Sequence, residues 1–290
     1  MHARRVVIRD EAAFGRRGGR HARPHVAPTL GRAARWLDNG GCSRVSPATT
    51  SSLGARGFSV AQISKTRRPR TKVQQRAEKI EQILDAAEYL FSQHGLHGVT
   101  LKDVAKRVGA HHTLLNYYFE DKKQLFDAVF ARRAVVTSTR RMEALNLYEA
   151  ENRGSLTVEG ALRVFLDTDL DLYIQGGESW KNYGALGAQV ANTPEWGARL
   201  MDEQFDPVVL RLVELLKQAL PGCSHEDIFW GYHFVSGALM LTLARTGRID
   251  KLSGGRCKSE DFAAVKERMA SFMAAGFLGI CKSHKRRQGK

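Results

Sequence analysis

The run "VGAHHTLLNYYFEDKK", residues 108–123, gathers side chains that could do chemistry. His111 and His112 are adjacent imidazoles, and Asn116 supplies an amide. Tyr117, Tyr118 and Phe119 form an aromatic triplet, and Lys122 and Lys123 come after Asp121. Three uses are open: metal ligation, core packing, or contact with a large polar surface. Metal ligation fits poorly, because adjacent residues at a helix start diverge by ~100° and zinc pairs favour i,i+4 spacing or further Cys and His ligands. His94 and His97 belong to an earlier junction. A second cluster, Asp167, Asp169 and Asp171, spells DxDxD. At helical spacing its carboxylates point to different sides, so a solvated helix face is expected. The chain has no GxSxG, Walker loop, HExxH or dinucleotide fingerprint, so neither an enzyme nor a bound metal or cofactor is expected.

The elements around the first cluster are short helices. Ile80, Ile83, Leu84, Ala87, Leu90 and Phe91 recur at helical spacing from about Gln74, and Gly95 stops the pattern. Thr100, with Asp103 three residues on, caps a second helix whose inner face is Leu101, Val104, Ala105 and Val108. Gly109 closes it. A third helix starts near Thr113 with Leu115, Tyr118 and Phe119 inward, and Asp121 caps a fourth through Leu125, Phe126, Val129 and Phe130. Two short helices split at a glycine make a helix-turn-helix. The second then carries polar and aromatic groups outward, within reach of base edges in a major groove. Lys102, Lys122 and Lys123 sit near helix N-termini, where dipole, free N–H groups and ammonium charge can meet phosphates.

Charge agrees with a polyanionic partner but is unevenly placed. The 290 residues carry 45 Lys+Arg against 30 Asp+Glu, yet residues 1–70 alone hold 15 of the basic and three of the acidic groups. Residues 71–290 are close to neutral, so any basic face there must be local. Residues 1–70, rich in Gly, Arg, Ala, Pro and Ser, show no apolar period and are expected to be a disordered basic extension. A transit peptide and an upstream start-site artefact are the other origins open to it. Cys42, Cys223, Cys257 and Cys281 are scattered, so no disulfide is expected and a reducing, cytoplasmic setting fits. The longest apolar stretch, 234–244, is about half a bilayer span, so no membrane partner is expected.

"ILDAAEYLFSQHG" (83–95), "VTLKDVAKRVGA" (99–110) and "LLNYYFEDKKQLFDAVF" (114–130) together resemble the DNA-binding domain of the TetR family of bacterial transcriptional regulators. The resemblance implies an all-α fold: a three-helix DNA-binding domain with a helix-turn-helix over 71–130, then a larger helical ligand-binding and dimerisation domain over 131–290. It implies that His112, Thr113, Asn116 and Tyr117 face double-stranded operator DNA, and that Tyr118 touches the backbone or braces the fold. Thr100, Lys102, Lys122 and Lys123 complete the expected DNA-binding set. Thr113 and Asn116 stand where the family often has a small residue and an aromatic; such positions are expected to vary with the operator.

The remainder stays helical, with stripes at 158–173 and 205–219, the latter interrupted or kinked by Pro207. Pro221–Gly222 is a stop, and Ser224 caps an apolar helix ending at Gly247. Residues 247–259 read as a loop, and a last helix runs from about Ser259 to Cys281. Gly231, Ser236, Gly237 and Ala238 permit close approach of another helix, either within the chain or across the four-helix homodimer interface that the resemblance implies. Phe165, Tyr173, Trp180, Tyr183 and Phe205, with Trp230 and His233, are core or else the walls of an effector pocket. Residues 226–244 loosely resemble family members that respond to fatty-acid or acyl-CoA ligands. The expected function is therefore a dimeric, cytoplasmic, nucleoid-associated repressor released by a small hydrophobic effector, acyl-type molecules among the candidates. The competing functions are a non-specific nucleic-acid- or membrane-binding protein acting through its basic arm, and a helical adaptor.

Overall fold

The computed structural model describes residues 71–288, with side chains as far as Cys281 except Glu195. The extension expected over 1–70 lies outside the described residues, as does Cys42. The described residues form ten helices in succession: α1 (Lys72–His94), α2 (Leu101–Arg107), α3 (His112–Tyr118), α4 (Lys122–Glu151), α5 (Val158–Gln175), α6 (Gly177–Ala191), α7 (Pro194–Ala219), α8 (His225–Leu243), α9 (Arg248–Leu252) and α10 (Phe262–Gln288). Among the described residues there is no strand, and no helix is long and apolar enough to cross a membrane.

Local chemistry sets the helix starts. Thr71 and Gln74 form a reciprocal capping box that begins α1 slightly earlier than its apolar stripe suggests. Thr100 and Asp103 form a second box at α2. The hydroxyl and the backbone N–H of Thr100 both bond the Asp103 carboxylate, which holds it below the usual carboxylate range. Asp121 and Ser224 cap α4 and α8 through their side chains.

Helix α4 joins the two parts of the molecule. Near its start Phe126 packs on Phe91 of α1, 5.0 Å between ring centroids, and on Trp196 of α7 at 4.7 Å. Farther along, Ala134, Thr137, Arg141 and Leu145 are buried where α4 packs on α5 and α7. Helix α7 runs on through Pro207 rather than stopping there. Pro207 and Glu203, whose carbonyl loses its i+4 donor, are both exposed, so water can take the missing partner's place. Helices α8 and α10 pack on each other. Gly231 is needed for that contact, because a Cβ there would stand 2.3 Å from the Phe277 ring.

Two expectations are corrected. The 247–259 segment is not wholly loop: it contains the five-residue helix α9, too short for its periodicity to show. Cys223 and Cys281 are joined in a disulfide, with Cα atoms 5.0 Å apart. They are 58 residues apart in sequence, and only the packing of α10 beside the α7–α8 turn brings them together. Spacing along the chain carries no trace of such a pairing. Removing the link by Cys223→Ser should lower unfolding free energy by about 2–4 kcal/mol. Urea denaturation of both proteins, with and without a thiol reductant, checks this: the reductant should lower the midpoint of the parent chain alone.

Candidate DNA-binding surface and internal cavity

Helix α3 divides its residues cleanly. Leu115 is fully buried and Phe119 nearly so, so these two hold the helix against the domain. His112, Thr113, Asn116 and Tyr117 are exposed on the other side, with Tyr117 at 67%. An aromatic left that open is not core. Tyr118 is half-buried and meets Tyr117 edge-on at 5.3 Å. His111 Nδ1 lies 2.9 Å from the Thr113 hydroxyl at the helix start, a local turn contact that orders this end of the helix. Lys102, Lys122 and Lys123 lie in the first turns of α2 and α4, with no ion pair among the described residues. Thr100 is exposed, but its hydroxyl is engaged in the α2 cap.

One neighbour is absent from the sequence-based set. The Arg76 guanidinium stands 5.5 Å from the Tyr117 ring centroid and 5.3 Å from that of Tyr118. It places a positive charge beside the exposed face of α3. No periodicity signals this, because Arg76 reaches α3 from the first turns of α1.

A second site lies inside the larger part. Phe165, Tyr173, Tyr183 and Phe205 line one cavity of about 40 Å³, together with Phe130, Tyr232, Met201 and Met240. Three expected wall residues do not. Trp180 stands beyond Tyr183, edge-on at 5.9 Å, with the Arg133 guanidinium 4.7 Å from its ring. Trp230 and His233 are exposed on the outer side of α8. Helix α8 is apolar nearly all round, so its sequence does not tell the inner face from the outer.

The cavity also holds an ion pair that corrects the reading of DxDxD as a solvated face. Asp169 is 4% exposed, and its Oδ2 lies 2.8 Å from Nη2 of the equally buried Arg141. Arg141 Nε donates to the Phe165 carbonyl, and its guanidinium lies 4.1 Å from the Phe165 ring. Burial raises the Asp169 carboxyl above its ordinary range, against the pull of Arg141. Burial also pushes the Tyr173 and Tyr183 phenols up, so both stay protonated donors. The signal is present in the sequence: Arg141 falls four residues after Thr137 on α4's inner stripe, and Asp169 four after Phe165 on that of α5. Asp171 pairs instead with Lys266.

A third feature faces outward. Trp230, His233, Phe234, Gly237 and Leu241 recur along one exposed side of α8, and Phe272, Ala275 and Gly276 along α10. Leu241 is 67% and Phe272 73% exposed. Among the described residues, a Cβ built on Gly237 or Gly276 meets nothing within 4 Å beyond its own helix backbone and chain neighbours. Unlike Gly231, neither glycine is required by packing among these residues.

A helix-turn-helix with an outward polar and aromatic face, carried on an all-helical body, defines a DNA-binding transcriptional regulator. Residues 83–129 match the family described as "Bacterial regulatory proteins, tetR family", and residues 163–276 match "Tetracyclin repressor-like, C-terminal domain". The chain belongs to the TetR family. It is 26% identical over 171 residues to the HTH-type transcriptional regulator BetI of Escherichia coli O17:K52:H18, covering 59% of this chain and 85% of that one. Among solved structures it is similar to the fatty acid degradation regulator FadR from Bacillus halodurans, at 15% identity and TM-score 0.47 over 68% of this chain and 95% of that one. The hemolysin II transcriptional regulator HlyIIR gives 17% identity and TM-score 0.47, over 68% and 97%.

Proposed function

We propose that this regulator is a homodimeric repressor that reads a palindromic operator through α3 and is released by a small hydrophobic effector. The observation that carries the DNA-reading role is the exposed face of α3, where Asn116 and Tyr117 are open and the Arg76 charge stands beside Tyr117. Asn can bond two adenine edge atoms in the major groove. Phosphates would be met by Lys102, Lys122 and Lys123, with Thr100 contributing at most its backbone while its hydroxyl caps α2. The exposed apolar sides of α8 and α10 support a two-fold partner, and two copies of α3 double the base pairs read.

The phosphate role has a direct check. Lys122→Ala should weaken every duplex alike and reduce the salt dependence of binding by about one charge per site. Titrations of operator and random duplex over a range of salt read this. A loss confined to the operator at unchanged salt slope would remove Lys122 from the phosphate set.

The effector would sit among Phe165, Tyr173, Tyr183 and Phe205. It lowers operator affinity only if it prefers a different spacing of the two α3 helices. Coupling of ~1–3 kcal/mol would give about 5–150-fold weaker binding, and operator would weaken the effector by the same factor. The competing function, non-specific binding through residues 1–70, is separated by deleting residues 1–64. A sequence-specific regulator keeps its preference for operator over random duplex after the deletion. A protein acting through its basic arm loses nearly all binding.

A further inference from the structure

The Arg141–Asp169 pair has unused capacity on both partners, and this bears on what the cavity accepts. Asp169 Oδ1 is buried and makes no hydrogen bond to any group of the described residues. Arg141 Nη2, although 2.8 Å from Asp169 Oδ2, lacks hydrogen-bond geometry toward it and toward every other described group. Both side chains line the cavity. One buried acceptor and one buried donor are therefore left beside aromatic walls, and each carries a desolvation penalty while unmatched.

From this juxtaposition we infer that the cavity selects a neutral, mostly apolar molecule bearing one group that both donates and accepts, such as a hydroxyl or a carboxamide. The inference deepens the effector reading proposed above and rests on it. Charge decides against the alternatives. The pair is neutral as it stands, so a ligand ammonium would be buried close to Arg141 and a ligand carboxylate close to Asp169, each like beside like. An ammonium also has no acceptor, and an ether or a carboxylate has no donor. A hydroxyl supplies a proton to Asp169 Oδ1 and lone pairs to Arg141 Nη2.

Size adds a consequence. A space of about 40 Å³ holds only one to three waters. The ligand must enlarge it, and Met201 and Met240 are the unbranched lining side chains best able to move. A ligand of this class would therefore displace these two side chains, one on α7 and one on α8, as it binds.

The test is calorimetric titration of the full chain, without DNA, by four probes with one apolar body: octanol, octyl methyl ether, octylamine and octanoic acid. Octanol should bind at least about tenfold tighter than its ether, the factor expected from one hydrogen bond to a charged group. The amine and the acid should bind weaker than the alcohol. Asp169→Asn should reduce the alcohol's advantage. Because that variant leaves Arg141 uncompensated, the paired Arg141→Met, Asp169→Leu chain is measured as well; it removes both poles together, and on it alcohol and ether should bind alike. Equal binding of alcohol and ether to the parent chain would overturn the inference. So would tightest binding by the amine or the acid, binding by none of the four, or discrimination that survives in the paired variant. Operator binding is measured separately, so a failure here leaves the DNA-reading role standing and a failure there leaves this result interpretable.

Discussion

Gly237→Leu is expected to abolish specific operator binding although the change lies on α8, outside the helix-turn-helix. Among the described residues, nothing beyond its chain neighbours and its own helix backbone comes within 4 Å of a Cβ at this position, so the monomer has room for the new side chain and its fold should survive. The effect arises only if a second copy packs against the exposed side of α8 that runs from Trp230 to Leu241. Overpacking typically costs ~1–3 kcal/mol per site, and a two-fold interface meets the change twice. Once the dimer is lost, each α3 reads its half-site alone. Sedimentation equilibrium should show the parent chain as a dimer and the variant as a monomer, with matching circular dichroism. A stable variant dimer with normal operator affinity would place Gly237 outside the interface. Gly231→Leu should behave differently, destabilising the chain itself by clashing with Phe277.

The second large effect concerns the join between the DNA-binding domain and the body. Glu88 of α1 is 2% exposed, yet it carries a carboxylate. Arg132 Nη2 lies 2.9 Å from Glu88 Oε2 and Arg133 Nε 3.1 Å from it, while the Ser179 hydroxyl donates to Oε1 at 2.7 Å. Three helices, α1, α4 and α6, thus meet at one buried carboxylate. Burial alone would lower the Arg132 guanidinium, but Glu88 overrides it and holds it above its ordinary value. Glu88→Ala leaves two partly buried guanidinium groups short of their shared partner. The expected loss is about 3–5 kcal/mol of unfolding free energy, the range for breaking a buried pair from one side. Arg132 keeps Glu81 and Asp85, so the lower end applies if it turns fully toward them. Urea denaturation measures this, and a loss below ~1 kcal/mol would mean that the cluster contributes no more than an exposed pair.

The same cluster touches the effector reading. Tyr183 lines the cavity, Trp180 meets Tyr183 edge-on, and Arg133 stands over Trp180 while binding Glu88. A contiguous set of contacts thus runs from the cavity to α1.

Features legible in the sequence are those with local causes. The caps at Thr100, Asp121 and Ser224 act within a few residues, and they place the starts of their helices correctly. The inward set on α3, Leu115 and Phe119, comes from helical spacing. The features that are not legible depend on partners distant in the chain. Cys223 and Cys281 look unrelated until α10 folds back beside the α7–α8 turn. Arg76 reaches Tyr117 only because α1 and α3 share one small domain. Trp230 and His233 group with the pocket aromatics in sequence because α8 is apolar on both faces. Arg141 and Asp169 are visible as charges on apolar stripes; taking a charge as solvated by default conceals the pair.

On the proposed function, α3 reads DNA sequence with Asn116 among its reading residues. Selection of bound duplexes from a random library, run in parallel on the parent chain and on Asn116→Ala, tests it most directly. The parent should enrich a palindrome whose half-sites lie about one helical turn, or a multiple of it, apart. The variant should enrich the same palindrome relaxed at one symmetric pair of positions, a loss of ~1–3 kcal/mol of discrimination there, with random-duplex affinity little changed. An identical motif from both chains would remove Asn116 from the reading residues, and no enriched motif from the parent would rule out sequence reading by α3.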